Sequence, residues 1–248
     1  MSIELVDKLT PVTKPELVEA LWYGWIHVFG EEPKKESIWI LMSQWALETG
    51  WGKFMHNYNL GNAKSREGDG YDYSYFKCNE IIRRADAVAL QNAAPQTAKI
   101  TSYRNDGKCI IWFYPKHPGC RFRAFNTLLE GAIDHISLVH KRFNKSWSAL
   151  LSGDPERYAI ALKSQNYFTA DLHTPSGTGY ADVLISVFNT VKNIEIDYSK
   201  FVPMEEKNDE LSDEQKDRLA NLITLTTQEV VDNYLETLYA YRGSEPHE

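Results

Sequence analysis

The stretch LMSQWALETGWGKFMHNYNLGNAK, residues 41–64, puts one glutamate, Glu48, at the end of an apolar helical run. Ile38, Leu41, Met42 and Trp45 recur at helical spacing, and Glu48 follows Trp45 by three positions and Leu41 by seven, so it projects from the same stripe. The pattern predicts a helix from about Lys35 to Thr49, with Gly50 as a left-handed stop. Three local effects push the acid's pKa up: the apolar stripe, the partial negative charge of the helix end, and shielding from water by Trp45 and Trp51. A carboxylic acid that keeps its proton near neutral pH suits general acid chemistry. The plain alternative is a solvated glutamate paired with Lys53.

Working outward, Thr13-Lys14-Pro15-Glu16 reads as a capping box with proline in the first turn, opening a helix that buries Leu17, Leu21, Trp25 and Val28 and stops at Gly30. Residues 65 to 120 change period. YDYSYFK and ITSYRNDGKCIIWFYP alternate, and Asn105-Asp106-Gly107 is good hairpin chemistry, so a small antiparallel lobe is expected there, interrupted near residues 81 to 94 by a short helical piece. Within it, Trp112, Phe113 and Tyr114 lie on a strand and point to alternate faces. Helical period returns from Phe125 to Val139, then over about 146–164 and 178–192, with TADLHTPSGTG as a flexible loop between the last two. After Pro203 the chain turns acidic, and Leu219, Leu222, Ile223, Val230, Tyr234, Leu238 and Tyr241 mark one amphipathic helix. The reading is an α+β, mainly α fold: residues 1–200 form one domain with its β lobe at about 65–120, and residues 201–248 form an acidic helical appendage.

Composition narrows the function classes. The net charge is −7, yet residues 201–248 carry twelve Asp+Glu against four Lys+Arg, which leaves residues 1–200 at +1. No basic stripe of the kind that binds nucleic acid is present. Seven Trp and fourteen Tyr fit either a packed core or a cleft that stacks sugar rings. Cys78, Cys109 and Cys120 form no CxxC pair, so reduced thiols are expected, with one disulfide plus a free thiol as the alternative. No apolar run is long enough to span a membrane, and the first residues do not read as a signal peptide. His135 and His140 are five apart, no HExxH occurs, and no metal or cofactor is expected; a satisfied or exposed histidine is the reading for each.

Residues 46–53, Ala-Leu-Glu-Thr-Gly-Trp-Gly-Lys, followed by Asn59-Leu60-Gly61-Asn62-Ala63-Lys64, resemble the motif of bacterial cell-wall endo-β-N-acetylglucosaminidases. These are autolysins and flagellar-rod muralytic enzymes of the lysozyme-like superfamily. The family pattern has Ser where Thr49 stands and Phe-Gly where Gly61-Asn62 stand. FRAFNTLLEGAIDHISLV and DPERYAIALKSQNYFTAD…GYADVLISV are similar to two later family blocks, so four blocks keep their order over residues 13–192. The resemblance implies a two-lobed lysozyme-like fold with a glycan groove, and Glu48 as catalytic acid.

It also implies further site residues. Glu80, in FKCNEI, is the nearest counterpart of the family's second carboxylate, although the family's Thr is missing. Asp69 and Asp72 are its rivals, and the substrate's own N-acetyl group is a third possibility. Tyr180 matches the tyrosine near the acid. Trp51, Asn59, Asn62 and Tyr167 are candidates for substrate binding, with turn formation as the plain reading of the two asparagines. The resemblance implies hydrolysis of the β-1,4 bonds of peptidoglycan, as a glucosaminidase or, alternatively, a muramidase. The downstream Gly-Leu-Met-Gln block of lytic transglycosylases is absent. A non-catalytic lysozyme-like binding or assembly module, docking a protein partner through the C-terminal helix, is the competing class. Without a signal peptide, action on the wall after release, as a phage lysin or a particle component, is the expectation.

Overall fold

In a computed structural model that describes residues 2–168 and 170–201, the order of elements is α1 (Lys14–Phe29), α2 (Lys35–Thr49), β1 (Tyr73–Tyr75), β2 (Cys78–Arg83), α3 (Arg84–Ala93), β3 (Ala98–Tyr103), β4 (Lys108–Phe113), β5 (Arg121–Arg123), α4 (Leu128–Arg142), α5 (Trp147–Ser152), α6 (Pro155–Ser164) and α7 (Tyr180–Val191). The class is the expected one, α+β and mainly α. The acidic helix expected after Pro203 lies outside the described residues.

Local chemistry sets the helix ends. Thr13 and Glu16 form the reciprocal cap of α1, and Gly30 closes it at φ +71°. Gly50 closes α2 in the same left-handed way, its N–H on the Ala46 carbonyl. Helix α4 starts three residues later than the period alone indicates, because Thr127 and Glu130 form a second capping box. The single helix expected over 146–164 is two: Gly153 takes a left-handed φ of +69°, and Asp154 caps a new helix with Pro155 in its first turn. The loop expected to be flexible is closed on itself over residues 171–179. Asp182 accepts from the backbone of Thr174 and Gly179 and contacts His173 Nδ1 at 2.7 Å.

The strands form two sheets, β1 with β5, and β2-β4-β3, all antiparallel. The 3–4 hairpin turns at the predicted Asn105-Asp106-Gly107, with Gly107 at φ +76°. The hydrophobic core is correspondingly in two parts. The larger joins Leu17, Leu21, Trp25, Ile38, Leu41 and Trp45 to Ile136, Leu150, Leu162 and Leu184. The smaller gathers Ala87, Ala98, Cys109, Ile111, Phe113, Cys120 and Phe122 between α3 and the strands. All three cysteines are free thiols. Phe201 packs its ring on Trp22, Tyr23 and Tyr198, so the helical body extends to that residue.

Helix α2 departs from the amphipathic reading. Ile40, Ser43, Gln44 and Ala46 are buried as well as the Ile38-Leu41-Met42-Trp45 stripe, because α1, α5 and α7 pack around it. A helix buried on most sides reads, from one face, like an ordinary amphipathic one.

Candidate active site

Glu48 sits on the last turn of this buried helix. Its side chain is half-buried, and loss of hydration pushes the carboxyl up to about 7 from an ordinary 4.5; the hydroxyls of Tyr180 and Tyr167 pull the other way. Burial is the dominant cause, as the sequence indicated. The aromatic surroundings differ from expectation. Trp51, expected to shield the carboxyl, is 37% exposed, stands edge-on to Trp45 and lies under the Lys14 ammonium. Trp45 itself is buried, with its Nε1 3.4 Å from Met55 Sδ. The rings whose hydroxyls act on Glu48 belong to tyrosines.

Tyr180 opens α7 and donates its hydroxyl proton to Glu48 Oε1 at 3.2 Å. Its position is fixed from three sides. Gly179 precedes it where a Cβ would meet the Leu172 carbonyl at 2.5 Å. Its N–H bonds the Asp171 carbonyl at 2.9 Å, and its ring stacks on Phe168 at 3.7 Å. Burial raises the Tyr180 hydroxyl well above its usual range, so it stays a neutral donor.

Behind the carboxyl, Tyr158 donates to Gln44 Oε1 at 2.6 Å, from α6 to α2. Gln44 lies one turn before Glu48, and its Nε2 is buried without a hydrogen-bond partner. The Tyr167 oxygen is buried and close enough to act on Glu48, yet no partner meets it in hydrogen-bonding geometry. Polar side chains of Tyr158, Gln44, Tyr167 and Tyr180 thus form a seam beside Glu48, hydrogen-bonded at its two ends, Tyr158–Gln44 and Tyr180–Glu48.

The segment after α2 carries the remaining candidates. It runs beside β5: Ser65 N–H bonds the Arg121 carbonyl, Arg123 N–H that of Ala63, and Phe125 N–H that of Asn57. Asn59 is 1% exposed, and its amide holds the turn by bonds to Ala63 O, Ala63 N and Arg123 O. Asn62, at φ +48°, donates to the Glu48 backbone carbonyl at 2.7 Å, which leaves its own Oδ1 buried without a partner. Gly131 of α4 presses on the Tyr58 carbonyl so closely that a Cβ there would meet it at 2.0 Å. The loop is therefore clamped between helix and strand.

The other acids lie in the β region. Glu80 is exposed on β2, opposite Ile111 of β4, and pairs with Lys64 Nζ at 3.5 Å. Lys64 also donates to the Gly119 carbonyl at 2.5 Å and covers the Phe122 ring. Glu80 thus connects to the Asn62 loop through Lys64. Asp69 is occupied in its turn by Ser65 Oγ and the N–H groups of Arg66 and Tyr71, and Asp72 accepts from Ile3 N–H. None of the groups that act most on Glu48 is a second carboxylate.

His135 is a residue whose environment the sequence misjudged. It is neither exposed nor satisfied: it is 2% exposed, and both ring nitrogens lack a partner. Burial pushes its pKa down to about 4, so the ring is neutral. The signal that marks it is Gly61, whose added Cβ would stand 2.8 Å from His135 Nδ1 and 3.5 Å from the Tyr167 oxygen. No group of His, Cys, Asp and Glu among the described residues is arranged to hold a metal, and none of the described helices is long and apolar enough to cross a membrane.

No family model matches the chain, and no curated protein matches it. Among solved structures it is similar to a C-terminally truncated glycoside hydrolase domain from Salmonella typhimurium FlgJ, at 18% identity and a TM-score of 0.41, over 74% of this chain and 100% of that one. At that level the likeness gives no residue a role.

Proposed function

We propose that the chain is a peptidoglycan hydrolase that cleaves β-1,4 glycosidic bonds of the glycan strand, as an endo-β-N-acetylglucosaminidase, with Glu48 as general acid. One observation carries this reading: a half-buried carboxyl at the end of a buried helix, raised to about 7 and held by a tyrosine hydroxyl at 3.2 Å. At neutral pH a large share of such a group is protonated, and it gives its proton to the leaving oxygen as the sugar–oxygen bond breaks. Tyr180 then does more for the product carboxylate than for the acid, because hydrogen bonds to a charged acceptor are the stronger ones. That difference favours proton donation.

The resemblance of residues 46–64 to the glucosaminidase motif supplies the substrate class. Trp51, exposed and rigidly set by the left-handed turn of residues 50–52, offers a flat face for a sugar ring. Glu80, paired with Lys64, is the proposed second carboxylate. The substrate's N-acetyl oxygen takes that role if Glu80 proves dispensable.

Clearing of purified cell walls in a gel by the wild type, and its loss in Glu48→Gln, is the deciding experiment. Absence of clearing by either protein on several wall types turns the reading over to a binding module. Mass spectrometry of the released muropeptides, reading which sugar carries the new reducing end, distinguishes glucosaminidase from muramidase.

A further inference from the structure

We propose that the outer face of the β2-β4-β3 sheet is a second, non-catalytic binding site for the cell wall, which takes the carboxylate-bearing peptide stems of the glycan strand between Lys77 and Lys99. This site deepens the hydrolase reading above and rests on the wall being the substrate.

The register of the sheet decides which side chains share that face. Strand β4 is central, and its alternate residues Cys109, Ile111 and Phe113 enter the smaller core. Ile110 and Trp112 therefore face the other way, and neither belongs to a hydrophobic core. Tyr114 continues the row, since its N–H extends the ladder to the Thr97 carbonyl at 2.8 Å. Across the sheet, Trp112 stands between Asn79 of β2 and Lys99 of β3, and Ile110 between Ile81 and Ser102. Ile81 is 42% exposed. Glu80 pairs with Ile111 and contacts Lys64, so the outer face turns away from the proposed second carboxylate.

An apolar row on an open face asks for a partner, and the charges around it say of which kind. Lys77 Nζ lies 4.4 Å from the centre of the Trp112 ring and 5.1 Å from that of Tyr114; Lys99 Nζ lies 5.8 Å from the Tyr114 ring. Among the described residues neither ammonium pairs with a carboxylate. The rings hold both cations in place, and a charged acceptor would bind them more strongly than a ring does. Residues 77–116 carry seven Lys+Arg against three Asp+Glu, a balance of +4, which leaves −3 for the rest of residues 1–200. Those three acids are engaged elsewhere: Glu80 with Lys64, Asp86 with Arg83 and Asp106 with Arg104. The complement of such a face combines negative charge with apolar surface. Bare N-acetylated glycan lacks the charge, and a polyphosphate lacks the apolar surface. Peptide stems have both: carboxylates for the two ammonium groups, and methyl groups for Trp112, Tyr114 and Ile81. A second grip of this kind holds the chain on an insoluble polymer between cuts.

Co-sedimentation of the full chain with insoluble cell walls tests this, in a Glu48→Gln background that leaves the walls intact. The parent should leave the supernatant at low salt, and the Lys77→Gln/Lys99→Gln double variant should bind about tenfold more weakly. Trp112→Ala should weaken binding in the same direction. Should it fail to fold, the double variant, which alters exposed side chains only, decides the matter. Walls whose carboxylates have been converted to amides should bind parent and double variant alike. Walls stripped of phosphate polymers by hydrofluoric acid should still tell the two apart. Equal binding of parent and double variant to untreated walls, no binding by either, or a difference that vanishes with the phosphate polymers overturns the proposal. Sedimentation needs no catalysis. A chain that binds walls through these lysines but whose Glu48 form clears none counts against the hydrolase reading alone. One that clears walls, with binding indifferent to the lysines, counts against the sheet face alone.

Discussion

Glu48 should cost the protein stability, and replacing it by glutamine should return that stability above a definite pH. The side chain titrates near 4.5 when solvated and near 7 in the folded protein. Between those values the folded chain holds a proton that the unfolded chain has released, so stability falls as pH rises through the interval. A shift of one unit corresponds to about 1.36 kcal/mol, which sets an upper bound of about 3 kcal/mol by pH 8. Part of the side chain still reaches solvent, so about 2 kcal/mol is the better figure. Glutamine keeps the shape and still accepts the Tyr180 hydroxyl proton at 3.2 Å without the charge. Urea unfolding of wild type and Glu48→Gln should therefore give equal stabilities near pH 4 and curves that separate from pH 5 upward. At pH 8 the variant should lead by about 2 kcal/mol, or roughly 5 °C in melting temperature for a domain of this size. Parallel curves from pH 4 to pH 8 would refute the claim that burial holds this carboxyl in its acid form.

Tyr180→Phe removes a donor that favours the carboxylate, so the pH at which wall hydrolysis declines should rise by about one unit while the plateau rate falls about tenfold; turbidity clearance across pH reads both. Gly131→Ala should destabilise by more than about 2 kcal/mol, because its methyl would meet the Tyr58 carbonyl at 2.0 Å, whereas Gly107→Ala, with open space but φ +76°, should lose only about 1 kcal/mol in chemical denaturation. A chain ended after Val202 should melt cooperatively and keep wall-clearing activity, while one ended before Tyr198 strips two aromatic partners from Trp22 and should melt earlier in calorimetry.

How much of this was legible beforehand follows the reach of each signal. The caps of α1, the left-handed stops at Gly30 and Gly50 and the hairpin at Asn105-Asp106-Gly107 are local, and sequence states them directly. The break between α5 and α6 was also local, in Gly153-Asp154-Pro155, but an uninterrupted apolar period concealed it. Burial of α2 on most sides was not legible, because a stripe reports one face and the packing of α1, α5 and α7 decides the rest. The raised pKa of Glu48 was foreseen for the right principal reason, burial, and with the wrong rings around it. Tyr180 lies 132 positions from Glu48 and entered only through resemblance, since no spacing argument reaches that far. The polar seam and His135 were out of reach for the same reason: a histidine on a buried helix face looks identical whether its nitrogens are bonded or not.

The segment before α1 has a consequence for anyone handling the protein. Leu5 N–H donates to the Tyr73 carbonyl and Tyr73 N–H to that of Ile3, Thr10 N–H bonds the Met55 carbonyl, and the buried Asn57 amide grips Lys8 and Val6. These eight or so residues act as a stitch through the turn that follows the acid-bearing helix, where Trp51, Asn57, Tyr58 and Asn62 all hold left-handed backbone angles that need outside support. Trimming them to tidy the amino end, or pulling on them with a bulky fusion, would slacken that turn while leaving the helical core folded, and a sample so treated would look sound by circular dichroism yet work poorly.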